Sequence, residues 1–272
     1  MAKRNKTPGS EKKQQSLSLS GDTVKQLEEE AERRGIKKSH LVEQILNNNL
    51  HVDSEEMTKD KPMIVAVMSY KGGVGKTTTS ISLGVGLGTE GHKVLIIDMD
   101  GQGNASQYLG VYDQRSEDAC IADVLCKPAP HAERMTLDEV IKETEYENVW
   151  IVPSNFRFAD ADASMKSEGS AGIDSRLCYA IEDMEQTFDY IIIDCGPRLD
   201  MTTTNAIVAL EAGNDNSLII IPVKVDGFAI AGVSQTIAMI QRIAKERRKK
   251  PRPWRILQTA VESRTDAYKY GL

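Results

Sequence analysis

The sequence predicts an α/β fold, a mostly parallel sheet with helices on both faces, preceded by a small separate segment. Three observations carry this. From residue 63 on, short apolar runs alternate with longer amphipathic stretches. The first run, Met63 to Met68, leads into a glycine-rich turn and then a further apolar series, Ile81, Leu83, Val85 and Leu87. Two later runs end in aspartate, and ligands of such sheets sit where strands end.

The elements follow in order. Residues 1–13 carry Lys3, Arg4, Lys6, Lys12 and Lys13 among polar residues and read as a disordered basic arm. Residues 14–50 form a compact segment. Gln14 to Ser20 alternates polar and apolar like a half-buried strand. Gly21-Asp22 offers a turn and cap, a helix follows through Val24, Leu27 and Ala31, and Gly35 closes it. Ser39 opens a second helix with Leu41, Val42, Ile45 and Leu46 on one face. One strand and two helices are too small for a core, but two copies can pair their strands. Residues 51–62 are polar, end in Pro62 and read as a linker. Residues 63–272 are the main domain. Strands are expected at Lys93–Met99, Asn148–Val152, Asp189–Asp194, Ser217–Val223 and Trp254–Ala260, with helices at Gly172–Thr187 and Gly227–Lys245.

Composition bounds the reading. With 272 residues and 40% apolar content the chain can bury one full α/β core and an appendage. No apolar run approaches a bilayer crossing and the N-terminus is charged, so a cytoplasmic protein without a membrane partner is expected. Cys120, Cys126, Cys178 and Cys195 lack metal or redox spacing, and the four histidines are scattered. A net charge of −6 argues against uniform coating of DNA but leaves room for local basic segments. The strongest of these in the main domain is Arg242 to Arg252, either a solvated helix end or a salt-sensitive contact to DNA phosphates.

The chemistry lies in Lys71-Gly72-Gly73-Val74-Gly75-Lys76-Thr77-Thr78. Glycines leave backbone N–H groups free to wrap a polyphosphate, and the helix that follows adds its partial positive charge. Lys76 can reach the outer phosphates, and Thr77 offers a hydroxyl to Mg²⁺. The usual pattern has glycine where Tyr70 stands, and an additional lysine, Lys71, follows it; this is a deviant Walker-A loop. Val94 to Asp100 reads as a buried strand ending in Asp98 and Asp100, which alternation turns to one side. Tyr190 to Asp194 is a second such strand, in the manner of Walker B. Three strand-end acids beside a phosphate loop point to metal and water handling.

With these motifs in place, the chain from about residue 62 resembles the ParA family of partition ATPases, in the MinD/ParA group of P-loop NTPases. The resemblance rests on Lys71 to Thr79, Asp98 to Asn104, Tyr190 to Pro197, Ile151 to Ser154 and Ile221 to Val223. It implies a homodimer that forms on ATP, binds DNA without sequence preference, and hydrolyses ATP slowly until a centromere-binding partner and DNA stimulate it. Such a protein segregates plasmids or chromosomes on the nucleoid. By the same resemblance Lys76 holds the β/γ-phosphates, Lys71 reaches the other subunit's ATP, and Thr77 ligates Mg²⁺. Asp100 positions the attacking water, while Asp98 and Asp194 shape the metal's surroundings. Residues 14–50 resemble a ribbon-helix-helix DNA-binding domain. There Gln14, Ser16 and Ser18 face bases, and the backbone near Lys38 and Ser39 holds a phosphate.

The chain departs from the family at Gly101, usually proline, and at Cys195-Gly196-Pro197, usually threonine-proline-proline. Trp254 to Ala260 and Ser263-Arg264-Thr265 look like the family's penultimate strand and turn, after which the family continues through a strand, an adenine-contacting loop and a C-terminal helix; either this chain is a truncation or its closing elements differ. A second reading is a nucleotide-sensing repressor with negligible turnover. A lipid-bound relative needs an amphipathic C-terminal helix that Tyr268 to Leu272 cannot supply. An iron–sulfur relative needs a cysteine partner for Cys195 that the sequence does not offer.

Overall fold

The computed structural model describes residues 61–111, 118–127, 132–169, 171–224 and 229–259, together with Lys25, Glu29, Glu32, Arg33 and Gly35. The chain divides into two compact units, residues 1–32 with 36–51 and residues 33–35 with 52–272. In the first, Lys25, Glu29 and Glu32 are helical. The basic arm, the expected reading strand with Gln14, Ser16 and Ser18, and the phosphate contact at Lys38 and Ser39 lie outside the described residues.

The second unit is built on seven strands: β1 (Met63–Val67), β2 (Val94–Met99), β3 (Lys142–Glu143), β4 (Val149–Val152), β5 (Tyr190–Cys195), β6 (Leu218–Lys224) and β7 (Trp254–Thr259). Their order across the sheet is β3-β4-β2-β5-β1-β6-β7. All neighbours are parallel except β3 and β4. The helices are α1 (Lys76–Thr89), α2 (Asn104–Tyr108), α3 (Ile121–Leu125), α4 (Leu137–Val140), α5 (Ala161–Ser167), α6 (Arg176–Glu182), α7 (Met201–Ala209) and α8 (Ala229–Glu246).

Alternation along the strands divides the core between the two faces. Ile64, Ala66, Leu95, Ile97, Ile191 and Ile193 pack on one side with Leu177 of α6 and Ile207 of α7. Val65, Val67, Val94, Ile96 and Ile192 pack on the other with Ile81 of α1 and Leu109. The expected sheet with helices on both faces is therefore what forms.

Two local expectations differ. Within α1 the residues closest to the sheet are small: Ser80, Gly84 and Gly88 are buried, while Leu83, Val85 and Leu87 are half-buried beside them. A Cβ on Gly84 would stand 2.7 Å from Ile96 Cδ1, and one on Gly88 would stand 2.8 Å from the Glu147 carbonyl oxygen. The glycines thus let α1, and with it Lys76, approach the strands closely. The helix expected over Gly172–Thr187 is confined to Arg176–Glu182. Gly172 has φ 75° and turns the chain before it. Beyond it, the Asp138 carboxylate accepts from the amides of Glu185 and Gln186, which takes them out of helical bonding.

Candidate nucleotide site

The central strand β1 lies between β5 and β6, and its C-terminal end delivers the glycine loop between the ends of its neighbours. Gly73 (φ 69°) and Gly75 (φ 84°) are left-handed, a conformation that side chains disfavour. Gly75 is also the N-cap of α1 and Lys76 its first residue. The Thr259 hydroxyl, from β7, donates to the Val74 carbonyl at 2.7 Å and ties the loop to the sheet edge.

Lys76 is 8% exposed. Its ammonium donates to the Lys71 carbonyl at 3.3 Å. Burial pushes its pKa below the ordinary lysine range, against the opposing pull of Asp194, Cys195 and Asp100. A buried ammonium has three protons to place, and an anion in the loop would take the remainder.

Gly72, Gly73, Lys76, Thr77, Thr78 and Asp100 line a cleft of about 700 Å³, which Gln102, Asn104 and Tyr108 extend. The structure therefore brings most of the expected site together. Lys71 is placed differently. It lines a second cleft of about 850 Å³ with Tyr70, Pro197, Arg198, Asp200 and Gln235. Gly72 belongs to both clefts. The two lysines of the loop thus face different spaces.

Asp98 and Asp194 are register partners on β2 and β5, and both are fully buried. The Ser80 hydroxyl donates to Asp194 Oδ1 at 2.8 Å. Asp194 Oδ2 is buried without a hydrogen bond of ordinary geometry among the described residues. Burial pushes the Asp194 carboxyl up to about 6, while Thr77, Ser80 and Lys76 pull it down. Asp98 is better satisfied. Its Oδ2 accepts from the Ser106 amide at 2.9 Å and the Ser106 hydroxyl at 2.7 Å, and its Oδ1 accepts from the Asp100 amide at 3.1 Å. Burial, then the Asp194 charge, push it up to about 7. Alternation suggested that Asp98 and Asp100 share one site. In the structure Asp100 lines the cleft and Asp98 does not, because its oxygens are occupied behind it.

Ser80 and Ser106 were not singled out from the sequence. The signal for Ser80 was its place one helical turn after Lys76, on the same face.

The departures from the family pattern have visible surroundings. A Cβ on Gly101 would meet the Ala159 backbone at 2.8 Å, so glycine permits a close approach at that loop. The Cys195 thiol is buried, and burial raises its pKa strongly. All four cysteines are free thiols. Within the basic run, Arg247 and Lys249 are engaged: Arg247 bridges Glu211 and Asp174 at 2.8 Å each, and Lys249 also pairs with Glu211. Arg242 remains well exposed, with a loose contact of 3.9 Å to Glu246. No helix among the described residues is long and apolar enough to cross a membrane.

An AAA domain family matches residues 62–252. The sporulation initiation inhibitor protein Soj of Bacillus subtilis is 34% identical over 75% of this chain and 74% of its own length. The chain belongs to the AAA domain family and, within it, to the ParA/MinD group. The chromosome partitioning protein ParA of Caulobacter vibrioides is 34% identical over 69% of this chain and 65% of its own. An uncharacterised protein of Mycobacterium tuberculosis is 32% identical, and this chain spans 52% of its length. Among solved structures, cobyrinic acid a,c-diamide synthase of Mycobacterium smegmatis, with a bound ATP analogue and magnesium, superposes with a TM-score of 0.64 at 27% identity, covering 77% of this chain and 79% of that one. A plasmid partition protein of Borrelia burgdorferi gives 0.61 at 25% identity, covering 78% and 83%. This ParA/MinD chain shares their P-loop fold.

Proposed function

We propose that this chain is a Mg²⁺-dependent ATPase that dimerises on ATP, binds DNA and drives plasmid or chromosome partition. The observation that carries this is the meeting of a left-handed glycine loop, a buried lysine and Asp100 in one cleft, with Lys71 facing a second. Amides of Gly72 to Thr78 and the α1 N-terminus bind the phosphates, and Lys76 supplies the buried charge. Asp100 orients the attacking water. Lys71 crosses to the ATP of a second copy and stabilises charge there, in the manner of an arginine finger.

The donor set fits Mg²⁺. No group of three acidic, histidine or cysteine side chains among the described residues could hold an ion unaided. Mg²⁺ instead keeps waters and phosphate oxygens and needs few protein ligands. Thr77 supplies one hydroxyl, and the unpaired Oδ2 of Asp194 can accept from a metal-bound water. When bound, the ion neutralises charge on the phosphate oxygens. Asp98 acts from behind by holding the Asp100 segment.

The relatives named for partition support the biological task. Residues 14–50 would form a ribbon-helix-helix head that reads a DNA site as a dimer through Gln14, Ser16 and Ser18, with Lys38 and Ser39 on phosphate. Residues 63–272 would bind DNA without sequence preference. A centromere-binding partner would stimulate turnover, and the protein would sit on the nucleoid in the cytoplasm. Release of a fluorescent ATP analogue tests the core of this, because the head alone would hold two copies together. Asp100→Ala loaded with the analogue and Mg²⁺ should release it slowly from the closed pair of ATPase domains, while Asp100→Ala with Lys71→Ala should release it quickly. Equal release rates in both would overturn the cross-subunit role.

A further inference from the structure

Ser106 sits at the junction of three segments. Its amide and hydroxyl both donate to Asp98 Oδ2, at 2.9 and 2.7 Å. Its hydroxyl oxygen accepts from the Ser154 amide at 2.8 Å, just beyond β4. Ser106 and Asp98 are fully buried, and Ser154 nearly so. The other oxygen of Asp98 accepts from the Asp100 amide at 3.1 Å. The chain from Asp100 onward is then folded tightly on itself: the Gln102 amide donates to Asp100 Oδ1 at 3.0 Å and the Gly103 amide to the Asp100 carbonyl at 2.8 Å. The Asp100 backbone is therefore held through Asp98, and Asp98 through Ser106.

We propose that Ser106 is a positioning residue for Asp100, acting through Asp98 and anchored by the Ser154 amide. The inference rests on reading Asp100 as the residue that orients the attacking water. A methyl group in place of the hydroxyl removes one donor to Asp98 and leaves the Ser154 amide without its acceptor in a site closed to solvent. The buried carboxylate then keeps two amide donors, one on each oxygen, and the Asp100 segment loses its tie to β4. The proposed phosphate-binding groups, the glycine loop and Lys76, make no hydrogen bond within this network, which meets the cleft lining at Asp100 and Gln102. The loss falls on the chemical step.

The test compares Ser106→Ala, Ser106→Cys and Asp100→Ala for ATP turnover, and for affinity measured by direct titration with a fluorescent ATP analogue in Mg²⁺. Ser106→Cys keeps a small side chain with a weak donor. Turnover should fall in the order serine, cysteine, alanine, with alanine roughly ten- to a hundredfold down, the scale of a misplaced catalytic group. Affinity for the analogue should stay within about twofold, because no binding group moves. Equal loss of affinity and turnover would reduce Ser106 to a folding role and overturn the proposal. So would a cysteine variant no better than alanine, or unchanged turnover in both. If Asp100→Ala itself turns over at the wild-type rate, it is the reading of Asp100 that fails.

Discussion

Ser80→Ala removes one of the side chains that hydrogen-bond Asp194. The Ser80 hydroxyl donates to Asp194 Oδ1 at 2.8 Å, and both residues are fully buried. With alanine, Oδ1 loses this donor, and of the groups that favour the charged carboxylate only Thr77 and the Lys76 ammonium remain. A hydrogen bond to a charged group contributes about 1.5–3 kcal/mol, whereas one to a neutral group contributes about 1 kcal/mol. Alanine recovers at most about 0.5 kcal/mol through helix propensity. Asp194 is pushed up to about 6, chiefly by burial, so its charge in the free protein changes between mildly acid and mildly alkaline solution. The sign follows. A carboxyl raised in the folded state disfavours folding progressively as pH rises from its unfolded value, near 4, through its folded one. Ser80 opposes that trend by stabilising the charged form. The variant should therefore lose about 1–2.5 kcal/mol at about pH 8 and less than about 1 kcal/mol at about pH 5. Urea unfolding at the two pH values measures this, without nucleotide. A loss that is equal at both, or larger in acid, would refute the account of Asp194.

Three further outcomes follow from other parts of the molecule. In α1, Gly86→Ala meets nothing within 4 Å and should stabilise by about 0.5–1 kcal/mol. Gly88→Ala meets the Glu147 carbonyl at 2.8 Å and should destabilise by roughly 1–2 kcal/mol net, so opposite shifts in thermal unfolding are expected. Arg247→Ala should cost roughly 1–3 kcal/mol at neutral pH, because Arg247 joins Glu211 and Asp174. Burial raises Glu211, but hydrogen bonds from Arg247 and Lys249 outweigh it and hold the carboxyl low. That contribution is present above the unfolded carboxyl value and is lost as pH falls through the folded one, so the Arg247→Ala deficit should shrink in acid, as unfolding curves across that range would report. In the N-terminal segment, replacing Gln14, Ser16 and Ser18 with alanine should abolish preference for a specific DNA site while sparing salt-sensitive nonspecific binding, as competition assays would read. Unchanged preference would remove the ribbon reading.

Much of the fold was legible because strand and loop signals are local. Apolar runs such as Leu95 to Ile97 and Ile191 to Ile193 are buried on both faces, so they stand out as runs. The glycine loop announces itself by residue type alone. The two-residue β3 and the short helices α2 to α5 leave no periodicity to read. Asp98 shows the limit of alternation. It predicts which side of a strand a carboxylate takes but not whether a distant amide, here that of Ser106, already occupies it. The basic run shows the same limit: Arg247 and Lys249 look like phosphate ligands until Glu211, far away in sequence, is found beside them.

The most direct test of the central claim is steady-state ATP hydrolysis by the whole chain in Mg²⁺, with and without duplex DNA, using Lys71→Ala as the blank. A slow basal rate that DNA raises, and that Lys71→Ala loses while still binding ATP, is the result predicted for a partition ATPase. ATP binding with no turnover above the blank under either condition would contradict it and favour a DNA-binding protein that only senses the nucleotide.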